Sequence, residues 1–347
     1  MAPTSTLPDP WVGRFLPVVP RPNAVEYTTL GATGAEVSRI GLGCMSFGDE
    51  EPWMLDEAAS REIIDRAVEL GINFFDTANA YSAGDSEEIL GRALDERDRT
   101  EQVVATKVFF PVEEGVNRSG LSRKTIEQEL ADSLDRLGMD TVDLLQIHRW
   151  DENTPIEETL RTLDDAVRRG DVRYTGASSM WAHQLARAQE VARAEGLEQF
   201  ATMQNHYHLA YREEEREMLP LCQREGIGVI PWGPLGQGYL TRPLQELQST
   251  ARGDPENHHN PTPEYGAGGG KAINERVREL ADEYGVSMAQ LSLAWLLHKD
   301  WVTAPIVGTT SVEHLEEAAE AVEIDISDSD MAYLEEPYEP QPIIGHD

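Results

Sequence analysis

Lysine, cysteine and uninterrupted apolar stretches are what this chain of 347 residues has least of. Cys44 and Cys222 are its two cysteines. They are too far apart in sequence to suggest a metal or redox pair, which excludes a disulfide scaffold, fits a reducing compartment and leads us to expect two buried free thiols. No apolar run approaches the roughly 18 to 20 residues that span a bilayer. The N-terminal stretch MAPTSTLPDPWVGRFLPVVPRPN is proline-rich and has no basic segment followed by an apolar core. It does not read as a secretion signal, so residues 1–26 are expected to form an extended arm on a soluble, cytoplasmic protein. His206 and His208, and the His258-His259 pair, have no cysteine or carboxylate placed to complete a ligand set, and no metal is expected. Four lysines, Lys107, Lys124, Lys271 and Lys299, stand among 29 cations against 63 acids, giving a net charge of −34. A surface of that sign repels nucleic acid and anionic membranes; oligomeric state is left open.

What is present is alternation. Turn residues Gly31 and Gly34 in YTTLGATGAEVSRIGLG predict a hairpin leading into a first strand over Ser38 to Gly43. Asp56 is placed to cap EAASREIIDRAVELG. NFFDTA, QVVATKV, TVDLLQIH, VRYTGAS, FATMQNHY, IGVIPW and VTAPIVG supply further strands. Between them lie helix two over Ser86 to Glu96 with Ser86 as its cap, SRKTIEQELADSLDRLG, PIEETLRTLDDAVRRG with Pro155 in its first turn, Trp181 to Ala194, and Arg212 to Glu225. NERVRELADEYG and MAQLSLAWLLHK precede the eighth strand, and SVEHLEEAAEAV follows it. Eight β/α alternations favour an α/β fold of the (β/α)8 TIM-barrel type, one domain over residues 27–347 with the hairpin as a cap, over a doubly wound sheet. Gly233 to Gly270 is too long for a plain connector and reads as an active-site loop.

In such a barrel the C-terminal ends of the strands form the site, so ionisable residues closing apolar strands stand out. There are four: Asp76 ending NFFD, Tyr81 just beyond it, Lys107 ending VVATK and His148 ending DLLQIH. Each alone has an ordinary structural explanation, as a turn cap, a packing ring, a solvated cation or a satisfied core histidine. Together they make a proton donor. A lysine ammonium beside a tyrosine stabilises the tyrosinate and lowers the phenol's pKa. A lysine at an apolar strand end needs a counter-charge, which Asp76 offers from the neighbouring strand. His148 can orient a substrate carbonyl by a hydrogen bond. Trp53, Phe109, Phe110 and Trp150, just beyond strand ends, either wall an apolar pocket or pack the loops.

FFDTANAYSAGDSEEILGRAL, ATKV and DLLQIHRWD resemble the signature stretches of the aldo-keto reductases, and the resemblance runs from Tyr27 to Val322. It implies an NAD(P)H-dependent oxidoreductase that interconverts aldehydes or ketones and alcohols, with Tyr81 as general acid and Asp76, Lys107 and His148 as its partners. It also implies cofactor contacts. Ser178 and Ser179 of GASSM stand where the family has a serine and an asparagine on the carboxamide, and Gln204 makes a further amide contact. Trp232 takes the place of the ring stacked on the nicotinamide, and Gly233, Pro234 and Leu235 follow the pyrophosphate. In VGTTSVEHLEE the family often carries a lysine and an arginine for the adenosine 2′-phosphate; here Gly308 and His314 stand there, with Thr309 and Thr310 offering hydroxyls. Met45, Asp76 and Glu317 complete the expected contacts. The resemblance favours NADP(H), the missing cations keep NAD(H) open, and a cofactor-binding redox sensor with slow turnover is the alternative to an enzyme.

The acidity has two explanations: adaptation to multimolar salt, where charges are screened over roughly 3 Å at about 1 M, or an acidic face that docks a basic partner. The acids are spread along successive helices rather than clustered, which favours the first. The expected outcome is loss of structure on dilution into low salt, followed by circular dichroism; a spectrum and melting temperature indifferent to salt would refute it.

Overall fold

The computed structural model describes residues 25–250 and 260–346. Of the expected N-terminal arm only residues 25 and 26 fall inside it, and the His258-His259 pair lies outside the described residues. An antiparallel hairpin comes first, β1 (Tyr27–Thr29) with β2 (Glu36–Ser38). Its turn drives Leu30 and Val37 into a cluster with Phe74, Ala105, Leu144, Ile230 and Ile306. Gly31 is left-handed there, and a Cβ on it would come within 2.6 Å of the Ala201 carbonyl and the Gly228 nitrogen. The hairpin therefore plugs one end of the strand assembly, as its glycine-marked turn suggests.

Eight parallel strands follow: β3 (Gly41–Gly43), β4 (Phe74–Asp76), β5 (Val103–Val108), β6 (Val142–Ile147), β7 (Val172–Ser178), β8 (Phe200–Gln204), β9 (Gly228–Val229) and β10 (Ile306–Gly308). They lie in the order β10-β3-β4-β5-β6-β7-β8-β9. The two edges meet, because the Thr303 and Ile306 amides donate to the Val229 and Pro231 carbonyls, each at 2.8 Å. This is the closed (β/α)8 arrangement that the alternation predicts. Helices α1 (Glu57–Glu69), α2 (Asp85–Leu94), α3 (Arg123–Leu137), α4 (Ile156–Arg169), α5 (Ala182–Glu195) and α6 (Met218–Glu225) follow β3 to β8 in turn. The Asp56 side chain caps α1 by accepting from the Ala59 amide at 2.9 Å, and Ser122 caps α3.

Several boundaries differ from the expectation. Ser38 ends the hairpin, so the first barrel strand is shorter than Ser38 to Gly43. Pro231 has no N–H to give a ladder, and β9 shrinks to two residues although the Trp232 amide still reaches the Asn205 carbonyl. Ser86 is not a cap. A 3-10 turn over Tyr81–Gly84 starts α2 one residue earlier, turning Ser86 inward, where its hydroxyl donates to the Cys44 carbonyl at 2.8 Å and meets Thr77 Oγ1. The long loop folds in part into α7 (Leu244–Leu247) and α8 (Thr262–Tyr265), with residues 251–259 undescribed. Its glycine run enters α9 (Gly270–Tyr284), ahead of α10 (Met288–Leu297). After β10 come α11 (Val312–Glu320) and an unanticipated α12 (Asp328–Glu335). Both cysteines are buried and free, as expected.

Helix α2 carries the turn that bears Tyr81, so its seat matters to the site. Gly91 lets α2 approach the end of α3: a Cβ there would lie 2.3 Å from the Leu137 carbonyl oxygen, with backbone rather than a yielding side chain in the way. Gly91→Ala gains about 1 kcal/mol of helix propensity but overpacks this contact at about 1–3 kcal/mol. Net destabilisation in denaturant melts is the expected outcome; an unchanged midpoint would show that α2 shifts without cost.

Candidate active site

Asp76 is the last residue of β4, Lys107 the next to last of β5, Ser178 the last of β7 and Gln204 the last of β8, while His148 directly follows β6. Parallel register sets Lys107 beside Gln146 and Ser178 beside Gln204. All these side chains thus gather at one end of the barrel, where ionisable groups on apolar strands have to find one another.

They do so completely around Lys107, which is fully buried. Its ammonium has three N–H donors, and each has an acceptor: Asp76 Oδ1 at 2.5 Å, the Thr77 carbonyl at 3.0 Å and the Tyr81 hydroxyl at 3.2 Å. The other oxygen of Asp76 accepts from Gln146 Nε2 at 2.8 Å and from Gln204 Nε2 at 2.9 Å. Asp76, Tyr81 and Lys107 are therefore one hydrogen-bonded constellation, which His148 joins through its ring against Tyr81. Gln146 belongs to it and was missed, although a polar residue two places before His148, on the same face of an apolar strand, was a readable signal.

Burial pulls the Lys107 ammonium down, but Asp76 and Tyr81 outweigh it and leave its pKa raised, so the lysine is charged. Burial also dominates at Tyr81 and pushes its phenol up; Lys107 pulls the other way, and Asp76 offsets part of that pull. The expected lowering of the tyrosine is therefore corrected: the cation acts in the predicted direction, but desolvation is larger. His148 is held well below its ordinary value, first by burial and then by Lys107 and Arg149. It is a neutral imidazole whose Nδ1 is buried without a partner. A lone pair is cheaper to orphan than an N–H, which puts the proton on Nε2. The His148 ring stands edge-on to Tyr81 at 5.8 Å and to Phe110 at 4.9 Å between centroids. Of the aromatic residues weighed as pocket walls, Phe110 adjoins the site, whereas Phe109 and Trp150 pack on the core.

Tyr81 is presented by a strained turn. Ser82 and Ala83 have φ of 48° and 51°, a region costly for residues with a Cβ. The turn is held by Ser82 Oγ donating to the Phe47 carbonyl at 2.8 Å. Asn79 ties the same loop to the end of β5, its amide donating to the Lys107 carbonyl and its side chain to the Phe110 carbonyl and Glu129.

The expected cofactor residues form a second group on the rim. Ser178 Oγ donates to the Gln204 carbonyl at 3.0 Å. Ser179, left-handed at φ 45°, accepts from the Trp232 indole N–H at 3.0 Å. Behind Trp232 stand His206, 3.9 Å away between ring centroids, and His208, both buried. Gly233, Pro234 and Leu235 lead into the 3-10 turn at Gly236–Gly238. Past the seam between β9 and β10, Gly308 ends β10 with nothing closer than 3.9 Å to an added Cβ, and Met45 is exposed after β3. Thr309 exchanges hydrogen bonds with Ser311, the residue before α11, whose side chain makes no cap. Thr310 and His314 are exposed. Glu317 accepts from Ser287, and neighbouring Glu316 pairs with Arg66.

The Asp76–Lys107 pair is buried on both sides, so removing one partner strands the other. Asp76→Asn is expected to cost about 3–5 kcal/mol of unfolding free energy at neutral pH, read from denaturant melts. A loss under about 1 kcal/mol, the range of exposed pairs, would show that the pair is not isolated from water.

The family model described as "Aldo/keto reductase family" matches residues 39–339. A putative aryl-alcohol dehydrogenase of Schizosaccharomyces pombe is 44% identical over 346 residues, covering 92% of this chain and 97% of that protein. An aldo-keto reductase of Alternaria alternata is 41% identical, covering 92% and 93%. A versiconal hemiacetal acetate reductase of Aspergillus parasiticus is 40% identical, covering 92% and 98%. The barrel, the buried constellation at its strand ends and these likenesses agree, and the chain belongs to the aldo/keto reductase family of oxidoreductases.

Proposed function

We propose that the protein reduces the carbonyl of an aldehyde or ketone, aromatic ones among them, with Tyr81 as the proton donor. The observation that carries this reading is the Lys107 ammonium bridging Asp76 and the Tyr81 hydroxyl in a buried network. Relatives named as an aryl-alcohol dehydrogenase and a hemiacetal acetate reductase support it, as does the Phe110 ring beside His148.

The rim residues fit a nicotinamide dinucleotide. Gln204 spends its Nε2 on Asp76 and Gln146, which leaves its Oε1 to accept from a carboxamide N–H. The Ser178 and Ser179 hydroxyls adjoin it, and the half-buried Trp232 ring, fixed by its bond to Ser179, offers a stacking face. The first amides of α11 and the open space at Gly308 suit a phosphate. The family resemblance favours NADP(H); NAD(H) is the second reading, favoured by Gly308 and His314 standing where the family often carries cations for a 2′-phosphate.

Reduced nicotinamide, when bound, supplies a hydride to the carbonyl carbon. His148 Nε2–H holds the carbonyl oxygen and stabilises the charge that grows on it. The Tyr81 O–H bond breaks as its proton passes to that oxygen, and Lys107 stabilises the tyrosinate left behind until solvent restores the proton. Alcohol oxidation runs through the same groups in reverse.

Tyr81→Phe is expected to lower turnover by about 10² to 10⁴ while NADPH and NADH, titrated by tryptophan fluorescence quenching in high salt, bind as in the parent; normal turnover in this variant would sink the assignment. Because burial, partly opposed by Lys107, keeps the phenol raised, reductive kcat/KM should hold level through neutral pH and fall only above about 10. Alcohol oxidation should climb over the same range, and a basic limb near neutrality would contradict the assignment of the proton to Tyr81.

A further inference from the structure

In a chain with 63 acids and 29 cations an arginine is expected to have a carboxylate partner. The described arginines largely do: Arg92 holds Glu57 and Glu88, and Arg212 holds Glu215 and Glu335. Arg39, Arg242 and Arg149 depart from this, and of the three it is Arg149 that adjoins His148. Among the described residues no carboxylate lies within 4.0 Å of the Arg149 guanidinium; burial pulls that guanidinium down, and the one charge that would offset this is a tyrosinate at Tyr81.

Its place makes the departure informative. Arg149 follows His148 directly, and its guanidinium lies 5.5 Å from the Phe110 ring, which in turn stands edge-on to His148 beside Tyr81. Tyr81, His148 and Phe110 are thus linked ring to ring, with the Arg149 guanidinium against Phe110. A guanidinium carries five N–H donors. One, on Nη1, goes to the His148 carbonyl at 2.7 Å, and Nε is buried with no partner at all. An ionised group half withdrawn from water with donors unmet is costly until an acceptor arrives. A planar carboxylate answers a guanidinium fork best.

We propose that Arg149 is a specificity-determining residue that selects carbonyl substrates carrying a carboxylate, holding that anion while the aromatic body of the substrate lies along Phe110. The inference rests on the carbonyl-reductase reading above for what happens to the carbonyl, but the anion site stands on its own geometry. A neutral aromatic stacked on the guanidinium is the competing occupant, and it gives no preference between an acid and its ester.

The test compares 4-formylbenzoate and 3-formylbenzoate with their methyl esters on the full-length protein, by calorimetric binding and by turnover with NADPH and NADH, in the parent, Arg149→Gln and Arg149→Lys. For at least one ring position the parent should favour the acid by about tenfold or more, in Kd and through KM rather than kcat. Arg149→Gln should collapse the acid-to-ester ratio towards one, and Arg149→Lys should keep part of it. The ratio within each variant is its own control for folding, because a merely structural role would weaken acid and ester alike. Equal handling of acid and ester by the parent, or a preference that survives Arg149→Gln, overturns the proposal. Arginine-dependent binding of the acid with no turnover of any aldehyde supports the anion site and overturns the reductase reading instead.

Discussion

The pairing of Lys107 with Asp76 is the constraint on which the rest of the site depends. Withdrawing two such charges from water costs several kcal/mol per ion, and nothing less than complete satisfaction of both groups offsets it. The ammonium uses all three donors and the carboxylate receives from a lysine and two glutamines, so four strands and the loop after β4 are tied to one point. This arrangement demands a closed barrel, since only inward curvature brings Asp76 within reach of Gln204, 128 positions later in the chain. Chemistry and architecture are thus coupled: the network that places the Tyr81 hydroxyl also punishes any loosening of the strand ends.

Strain is concentrated at the same end. Ser82 and Ala83 after Tyr81, Ser179 beside Trp232, and Gln237 in the turn that follows it all have left-handed backbones although they carry side chains. Such residues persist where their surroundings over-determine them. At Ser82 the determinant is its bond to the Phe47 carbonyl, and at Ser179 it is the Trp232 indole. The barrel supplies the rigidity, and the rim spends it on fixing a phenol and an aromatic face.

The strand-end residues were legible because inward-facing positions alternate and an ionisable group there is conspicuous. Their mutual distances follow from barrel closure, so the alternation that predicted the fold also predicted the constellation. What escaped was whatever depends on depth. The Tyr81 phenol is raised rather than lowered because desolvation outweighs the lysine, a comparison of magnitudes that residue types do not express. Ser86 has the composition of a helix cap, yet the unforeseen left-handed turn before it moved the helix start and turned it inward. Gln146 was overlooked for want of a charge, and Arg149 because an arginine in a charged chain looks ordinary until its partners are counted.

The electrostatics divide by location. A net charge of −34 raises the cost of bringing any anion near, over distances set by the salt. Lys107 acts over a few ångströms, in a place where water is scarce and screening is weak. Salt therefore weakens the repulsion from outside more than it weakens the attraction within, and an acidic shell becomes compatible with a site built on a buried cation. On this argument the paucity of lysine is no deficit for the chemistry, because the one lysine that matters is held where solvent and salt do not reach it.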